Sequence, residues 1–289
     1  MMRGTKTRQL QGMRVGLSIS NSEDAEAHGF DDAEVNRATR EIAQAVLAQG
    51  GSLVFGHDWR PEGVMASLFR FAMDYQMPRK DLSEAEVKEA AIRNYVAWPR
   101  TTNLSRAERR RFEDVLDIKE IRPPDIPRTA THTPLRNVES LTYMRAALVE
   151  DSDARVALGG RTSGSGGRCS GVVEECLLTL QADKPLYLSG IFGGATQQVI
   201  EVIRGQDSGD LSAFRPRADV AEALGEVNLA DGFGISPNAF FDYPVWQLAQ
   251  RNGLTVEQNE QMFDAVHLND VIGLMLIGMG QLSDDRYRV

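Results

Sequence analysis

Cysteine is nearly absent. The 289 residues contain two, Cys169 and Cys176, seven positions apart. One bridge is the most they could form, and no CxxC pair exists, which excludes a disulfide framework and zinc-ribbon spacing. A reducing cytoplasm is the compartment such usage fits. Histidine is equally scarce. His28, His57, His132 and His267 are scattered without metal-ligand spacing, so no metal and no cofactor is expected. No apolar run approaches the roughly 18 residues a membrane helix needs. The longest, at residues 271–279, is broken by Gly273 and Gly278. The first 13 residues are polar and basic, without the apolar stretch of a secretory signal, and residues 1–12 are expected to form a disordered tail. Excess positive charge is missing as well. Lys and Arg number 32 against 41 Asp and Glu, for a net charge of −9, which argues against nucleic acid as a partner. The one basic cluster, Arg106, Arg109, Arg110 and Arg111, is interleaved with Glu108, Glu113 and Asp114, as on a solvated helix face.

What the chain does have is alternation of short apolar strands with helical patterns. Residues 14–20 (RVGLSIS) read as a strand, 21–31 as a polar loop, and 32–49 as a helix ended by Gly50-Gly51. A strand at 52–55, a loop at 56–63 and a helix at 64–75 follow. The middle is less regular: a strand at 91–98, a helix at 105–116 with Ser105 as N-cap, a strand at 118–122 and a helix at 137–150. Then come a strand at 154–158, a Gly-Ser loop at 159–171 (GGRTSGSGGRCSG), a helix at 172–181, a strand at 185–189, a second glycine loop at 190–194 and a helix at 195–204. This β-α order predicts an α/β fold with an open parallel sheet and helices on both faces. Residues 205–289 lack the alternation and read as a mainly helical C-terminal extension. The reading is one domain, 13–289, with its core at 13–204.

Ligands of an open parallel sheet bind at the carboxyl ends of the strands. Three loops leave that edge with suitable residues: 18–24, 56–63 and 159–171. Glycines let backbone N–H groups approach an anion, and the following helix start adds favourable partial charge. Arg161 or Arg168 could add a charged contact. No Lys-Ser or Lys-Thr follows the glycines and the pattern is not G-x-G-x-x-G, which disfavours P-loop hydrolysis and the dinucleotide fingerprint. No Gly-x-Ser-x-Gly elbow occurs, so a Ser-His-Asp triad has no support. The 190–194 loop reads either as tight strand–helix packing or as a wall of the same pocket. Asp58, beside Gly56, suits a ribose hydroxyl or a loop cap. Trp98 reads as core or pocket wall before base stacker. On this reading Gly160→Val should abolish binding and leave the fold intact.

The order VGLSIS, LVFGHDWRPEG, LGGRTSGSGGRCSGVVEE and KPLYLSGIFGGA resembles the SLOG superfamily of Rossmann-like nucleotide-binding domains, most closely the branch associated with TIR and nucleoside phosphorylase domains. The superfamily includes the LOG phosphoribohydrolases, whose loop reads P-G-G-x-G-T-x-x-E, with an arginine on the preceding helix. Gly159 and Gly160 fall at the first glycines, Gly171 at the third and Glu175 at the glutamate. Arg145 stands two residues from the arginine's spacing. Leu158 replaces the proline, Val172 replaces the phosphate-holding threonine, and residues 161–170 are inserted between the glycines. The resemblance implies a sensor for a nucleotide or nucleotide-sugar, of ADP-ribose or cyclic ADP-ribose kind, in prokaryotic antiviral defence. It also implies a homo-oligomer and, since no TIR or nuclease motif is present, an output through assembly or through a separate effector protein. The alternative is a LOG-like hydrolase of a nucleotide N-glycosidic bond, with Glu175 and Arg145 catalytic. Ligand contacts are expected from Ser18, Ser20, Gly56, Asp58, Gly159, Gly160, Arg161, Gly164, Gly167, Arg168, Gly171, Glu174, Glu175, Gly193 and Gly194.

Overall fold

A computed structural model describes residues 8–56, 68, 91–100, 102, 104–124, 133–206, 209–223 and 235–286. The expected helix at 64–75, and the singled-out residues His57, Asp58, Trp59 and His132, lie outside them apart from Leu68, which is helical. Six strands, β1 (Arg14–Ser20), β2 (Ser52–Gly56), β3 (Ile92–Ala97), β4 (Leu116–Ile121), β5 (Ala154–Gly159) and β6 (Leu186–Ser189), form one sheet in the order β4-β3-β2-β1-β5-β6. Every pairing is parallel. The chain steps outward from β1 to β4, then returns to the other side of β1 to place β5. The fold is α/β and Rossmann-like.

Strand alternation sorts the helices onto two faces. Val15, Leu17, Leu53, Phe55, Val156 and Leu158 point to one face, where they pack on Val35, Ile42 and Val46 of α2 (Asp32–Ala48). Gly16, Ser18 and Arg155 alternate with them and point to the other. There Val54 and Tyr95 meet Leu141, Met144 and Leu148 of α4 (Pro134–Glu150). Ala157, Leu186 and Leu188 meet α5 (Gly171–Gln181) and α6 (Gly194–Ile203). Two further helices are short: α1 (Glu23–Ala27) and α3 (Arg106–Arg111). The first forms inside the expected loop because Ser22 caps it, accepting from the N–H of Ala25. The second keeps the expected Ser105 cap in a box with Glu108 but is shorter than the pattern indicated. A turn at 112–115 follows it, and β4 begins at Leu116, which with Val115 is buried against the sheet.

The C-terminal extension contains α7 (Ala218–Ala223), α8 (Val245–Asn252), α9 (Val256–Phe263) and α10 (Leu268–Arg286). It docks by covering the sheet edge. Asn252 Nδ2 donates to the Leu186 carbonyl at 3.0 Å, and the Tyr187 hydroxyl donates to the Asn252 carbonyl at 2.6 Å. The first of these bonds satisfies a backbone carbonyl that edge strand β6 would otherwise leave open, and the second ties the end of α8 to the Tyr187 side chain. Val271, Met275 and Met279 carry α10 onto the α2 face. At the other end of the chain, residues 8–12, expected within a tail, form turns that bury Leu10, whose N–H donates to the Gln49 carbonyl at 3.0 Å.

An ion cluster anchors α4 to the sheet. Asp151 accepts from Arg14 Nη1 at 3.0 Å, Arg93 Nη1 at 2.6 Å, Lys119 Nζ at 3.0 Å and the Tyr95 hydroxyl at 2.6 Å. Lys184 closes the same helix end, donating to the carbonyls of Val149, Glu150 and Ser152. Burial by itself would raise the Asp151 pKa, but Tyr95, Lys119 and Arg93 outweigh it and hold the carboxyl below its ordinary value. A depressed folded-state pKa contributes stability above the unfolded value and loses it as pH falls through the folded one. Asp151→Asn should therefore lower unfolding free energy by about 3 kcal/mol at neutral pH. Denaturant midpoints of parent and variant should converge below about pH 4. A gap that is constant with pH would contradict this assignment.

Candidate functional site

The strand order reverses between β1 and β5, and a crevice opens at the carboxyl ends of such a pair. A cleft of about 330 Å³ lies there, walled by Ser18 and Ser20 of β1 with Asn21 beyond it, by Phe55 and Gly56 at the end of β2, and by Ser163, Gly164, Ser165, Gly171, Val172 and Glu175 after β5. Arg161 and Asp32 stand at it too. The two glycines that open the loop shape the cleft without lining it. Gly159 has φ +64°, and a Cβ there would lie 2.3 Å from the Ser20 carbonyl oxygen. Gly160 has φ +92° and is buried; its Cβ would meet Val172 Cγ2 at 2.6 Å.

Beneath the cleft lies a buried charge network. Arg155 has no exposed surface. It pairs in register with Gly16 of β1, and a Cβ on Gly16 would lie 2.8 Å from Arg155 Nη2. Glycine thus lets the guanidinium lie across the strand. Arg155 Nη1 donates to Ser18 Oγ at 2.9 Å and to Glu175 Oε2 at 3.0 Å, and Nε donates to Thr179 Oγ1 at 2.9 Å. The Ser18 hydroxyl donates to the same Glu175 oxygen. The other oxygen, Oε1, lies 3.7 Å from a Cβ position on Gly56 and 3.9 Å from Arg145 Nε. Arg145 Nε is buried with no hydrogen-bond partner among the described residues.

The neighbouring glutamate turns the other way. Glu174 has no exposed side-chain surface and accepts from Arg145 Nη1, from Arg168 Nε at 2.9 Å and from the Thr142 hydroxyl at 2.7 Å. Burial alone would raise its pKa; Arg145, Thr142 and Arg168 overcome this and hold it low. Burial likewise opposes charge on Arg145, but Glu174 and Glu175 hold its pKa up. Both cysteines are free and buried. Burial pushes the Cys169 thiol up to about 12 and raises Cys176 further.

Donors for an anion are not where the glycine pattern alone puts them. The N–H groups of Thr162 and Ser163, in mid-loop, already donate to Glu23 of α1 at 2.9 and 3.3 Å. The start of α5 is different. Ser170 gives no side-chain cap, and the N–H groups of Gly171, Val172 and Val173 find no acceptor among the described residues. Two of these three residues line the cleft, so the open donors and the helix's positive end face it.

The expected site residues therefore divide. Ser18, Ser20, Gly56, Arg161, Gly164, Gly171 and Glu175 line the cleft. Arg161 also pairs with Glu26 at 2.6 Å. Arg145, Arg168 and Glu174 form the network below. Gly167 and Gly171 lack side chains where Arg145 nitrogens come within 2.6 and 2.7 Å of their Cβ positions. The 190–194 loop does not wall this cleft. The Gly194 N–H donates to Asp24 at 2.7 Å, and Gly193 lines a separate cavity of about 730 Å³ beside α1. Arg155 was missed by motif reading, although a lone arginine in the strand pattern ARVAL, opposite a glycine, marks it. Among the described residues no group of three His, Cys, Asp or Glu could hold a metal, and no helix is long and apolar enough to cross a membrane.

A switch-point cleft with an open helix start and a fixed carboxylate defines a Rossmann-like domain for anionic small molecules. The sequence profile of the family described as SLOG cluster2 matches residues 9–262, and the chain belongs to that family. It is a member of the superfamily that its glycine-loop blocks resemble, and this membership supports a ligand of nucleotide type. Among curated proteins none matches this chain in sequence. The X-ray structure of TM1055, a Northeast Structural Genomics Consortium target, covers 74% of this chain and 96% of its own at 14% identity and a TM-score of 0.40. A likeness of that degree carries no argument about function.

The burial of Gly160 corrects the expectation that Gly160→Val spares the fold. A positive φ and contact with Val172 make the variant destabilising by about 3 kcal/mol, on the order of 10 °C in melting temperature for a domain of this size. A melting temperature equal to the parent's in a thermal scan would contradict this packing role.

Proposed function

We propose that the cleft binds a nucleotide or nucleotide-sugar and that the domain acts as a sensor. A phosphate would sit on the open N–H groups of Gly171 and Val172, with a ribose hydroxyl donating to Glu175 Oε1. The observation that carries this reading is the single cleft that holds both groups, an unpartnered helix start and a carboxylate oriented by Arg155 and Ser18. ADP-ribose and cyclic ADP-ribose are the ligand classes of choice, as the superfamily resemblance implies, and antiviral defence is the corresponding setting. A homo-oligomer and a separate effector protein complete the proposal.

The second reading, hydrolysis of an N-glycosidic bond, draws on one observation: Arg145 Nε and Glu175 Oε1 are 3.9 Å apart at the cleft floor. Sensing is preferred for two reasons. Arg145 is already engaged by Glu174, and Val172 offers no hydroxyl where the hydrolases use threonine.

Calorimetry with AMP, ADP-ribose and cyclic ADP-ribose, paired with chromatography for released base, separates the readings. Binding without base release is expected. Glu175→Gln should weaken binding by 1–2 kcal/mol, roughly 5- to 30-fold. Base release by the parent that falls a hundredfold or more in Glu175→Gln, with binding retained, would establish the hydrolase instead.

A further inference from the structure

The arginines at and beneath the glycine loop outnumber the carboxylates that answer them. Besides Arg161, which pairs with Glu26, four arginines gather at or beneath the glycine loop: Arg145, Arg155 and Arg168 in the network, and Arg100 beyond the end of β3. Glu174 serves Arg145 and Arg168, and Glu175 serves Arg155. Arg100 has no acidic partner among the described residues. Its position is nonetheless defined by the loop. Arg100 Nη2 lies 3.8 Å from where a Cβ on Gly166 would stand, and the Gly166 carbonyl is fixed by Asn137 Nδ2 at 2.8 Å. The next glycine, Gly167, lies against the guanidinium of Arg145, as does Gly171 at the start of α5. One guanidinium thus separates Arg100 from the open N–H groups of α5. Desolvation, and then the like charge of Arg145, pull the Arg100 pKa down. Two guanidinium groups close enough to repel, with no carboxylate beside the second, are stabilised when an anion joins them.

We propose that Arg100 is the contact for a second phosphate, so that the cleft selects nucleoside diphosphates and their derivatives over monophosphates. This assignment rests on the nucleotide reading above. The α5 N–H groups take one phosphate, and Arg100, reaching over residue 166, takes the next through charge-assisted hydrogen bonds. Neither the glycine pattern nor the family resemblance points to this residue, which stands in a different loop.

The test is calorimetry of the full chain with AMP and ADP at one fixed salt concentration, for the parent and for Arg100→Gln and Arg100→Lys. Equal melting temperatures will confirm that the variants fold. The parent should bind ADP on the order of tenfold tighter than AMP. Arg100→Gln should bring the two affinities together by weakening ADP alone, and Arg100→Lys, which keeps the charge without the fork, should restore part of the preference. An ADP-to-AMP ratio that Arg100→Gln leaves unchanged, or equal weakening of both nucleotides, overturns the assignment while leaving the nucleotide reading in place. Failure of the folded parent to bind either nucleotide overturns both.

Discussion

The ion pair between Arg155 and Glu175 is the constraint on which the cleft depends. A guanidinium with no exposed surface is costly unless its donors are matched. Here Glu175, Ser18 and Thr179 accept from it, and Ser152 Oγ lies at the edge of hydrogen-bond range, 3.5 Å from Nη2. These partners come from β1, α5 and the turn before β5, so the pair forms only when all three are in place. It needs Gly16, because any side chain there would occupy the guanidinium's space. What results is a carboxylate held at the reversal of strand order, one oxygen committed to the interior and one turned toward Gly56.

Two adjacent glutamates divide the labour on α5. Successive helix positions differ by about 100° in direction, so consecutive acids reach different neighbours. Glu175 turns toward β1 and β5. Glu174 turns toward α4, where Thr142 and Arg145 meet it, and Arg168 closes over it from the loop. This second cluster explains the late part of the glycine loop. Gly167 and Gly171 are small because Arg145 presses against them, so the loop there is a cover over a buried cation. An arginine beneath a glycine cover and a helix start without a cap together make this end of the cleft favourable to anions.

Much of the sheet was legible because its strands are short apolar runs bounded by glycine or by polar loops. Residues 14–20 carry the strand pattern, and β1 has those bounds. The sequence pattern failed where context overrides it. Residues 105–116 look helical, yet the helix stops at Arg111, a turn follows at 112–115, and the buried Leu116 opens β4. Residues 21–31 look like a loop, yet Ser22 starts a turn of helix. At the site, Glu175 and Arg145 were visible through the resemblance to the LOG loop, whose glutamate position Glu175 matches and whose arginine position Arg145 approaches. Arg155 was not, because nothing local distinguishes a buried, paired arginine from a strand residue facing solvent; only the partner across the sheet, Gly16, reveals it. The mid-loop N–H groups read as an anion cradle for a similar reason: periodicity does not show that Glu23, some 140 positions away, already fills it.

That last contact bears on how an acidic chain accepts an anionic ligand. A net charge of −9 opposes anions only on average; what a ligand meets is the local field. Three acids of α1 are spent on the chain's own donors: Glu23 on Thr162 and Ser163, Asp24 on Gly194, and Glu26 on Arg161. Each removes a negative charge from free display and closes a donor that would otherwise compete for phosphate. The donors left open are those at the head of α5, above Arg145. A chain that satisfies its glycine loops with its own carboxylates therefore leaves its open donors at one helix start, in the cleft where the proposed ligand would sit.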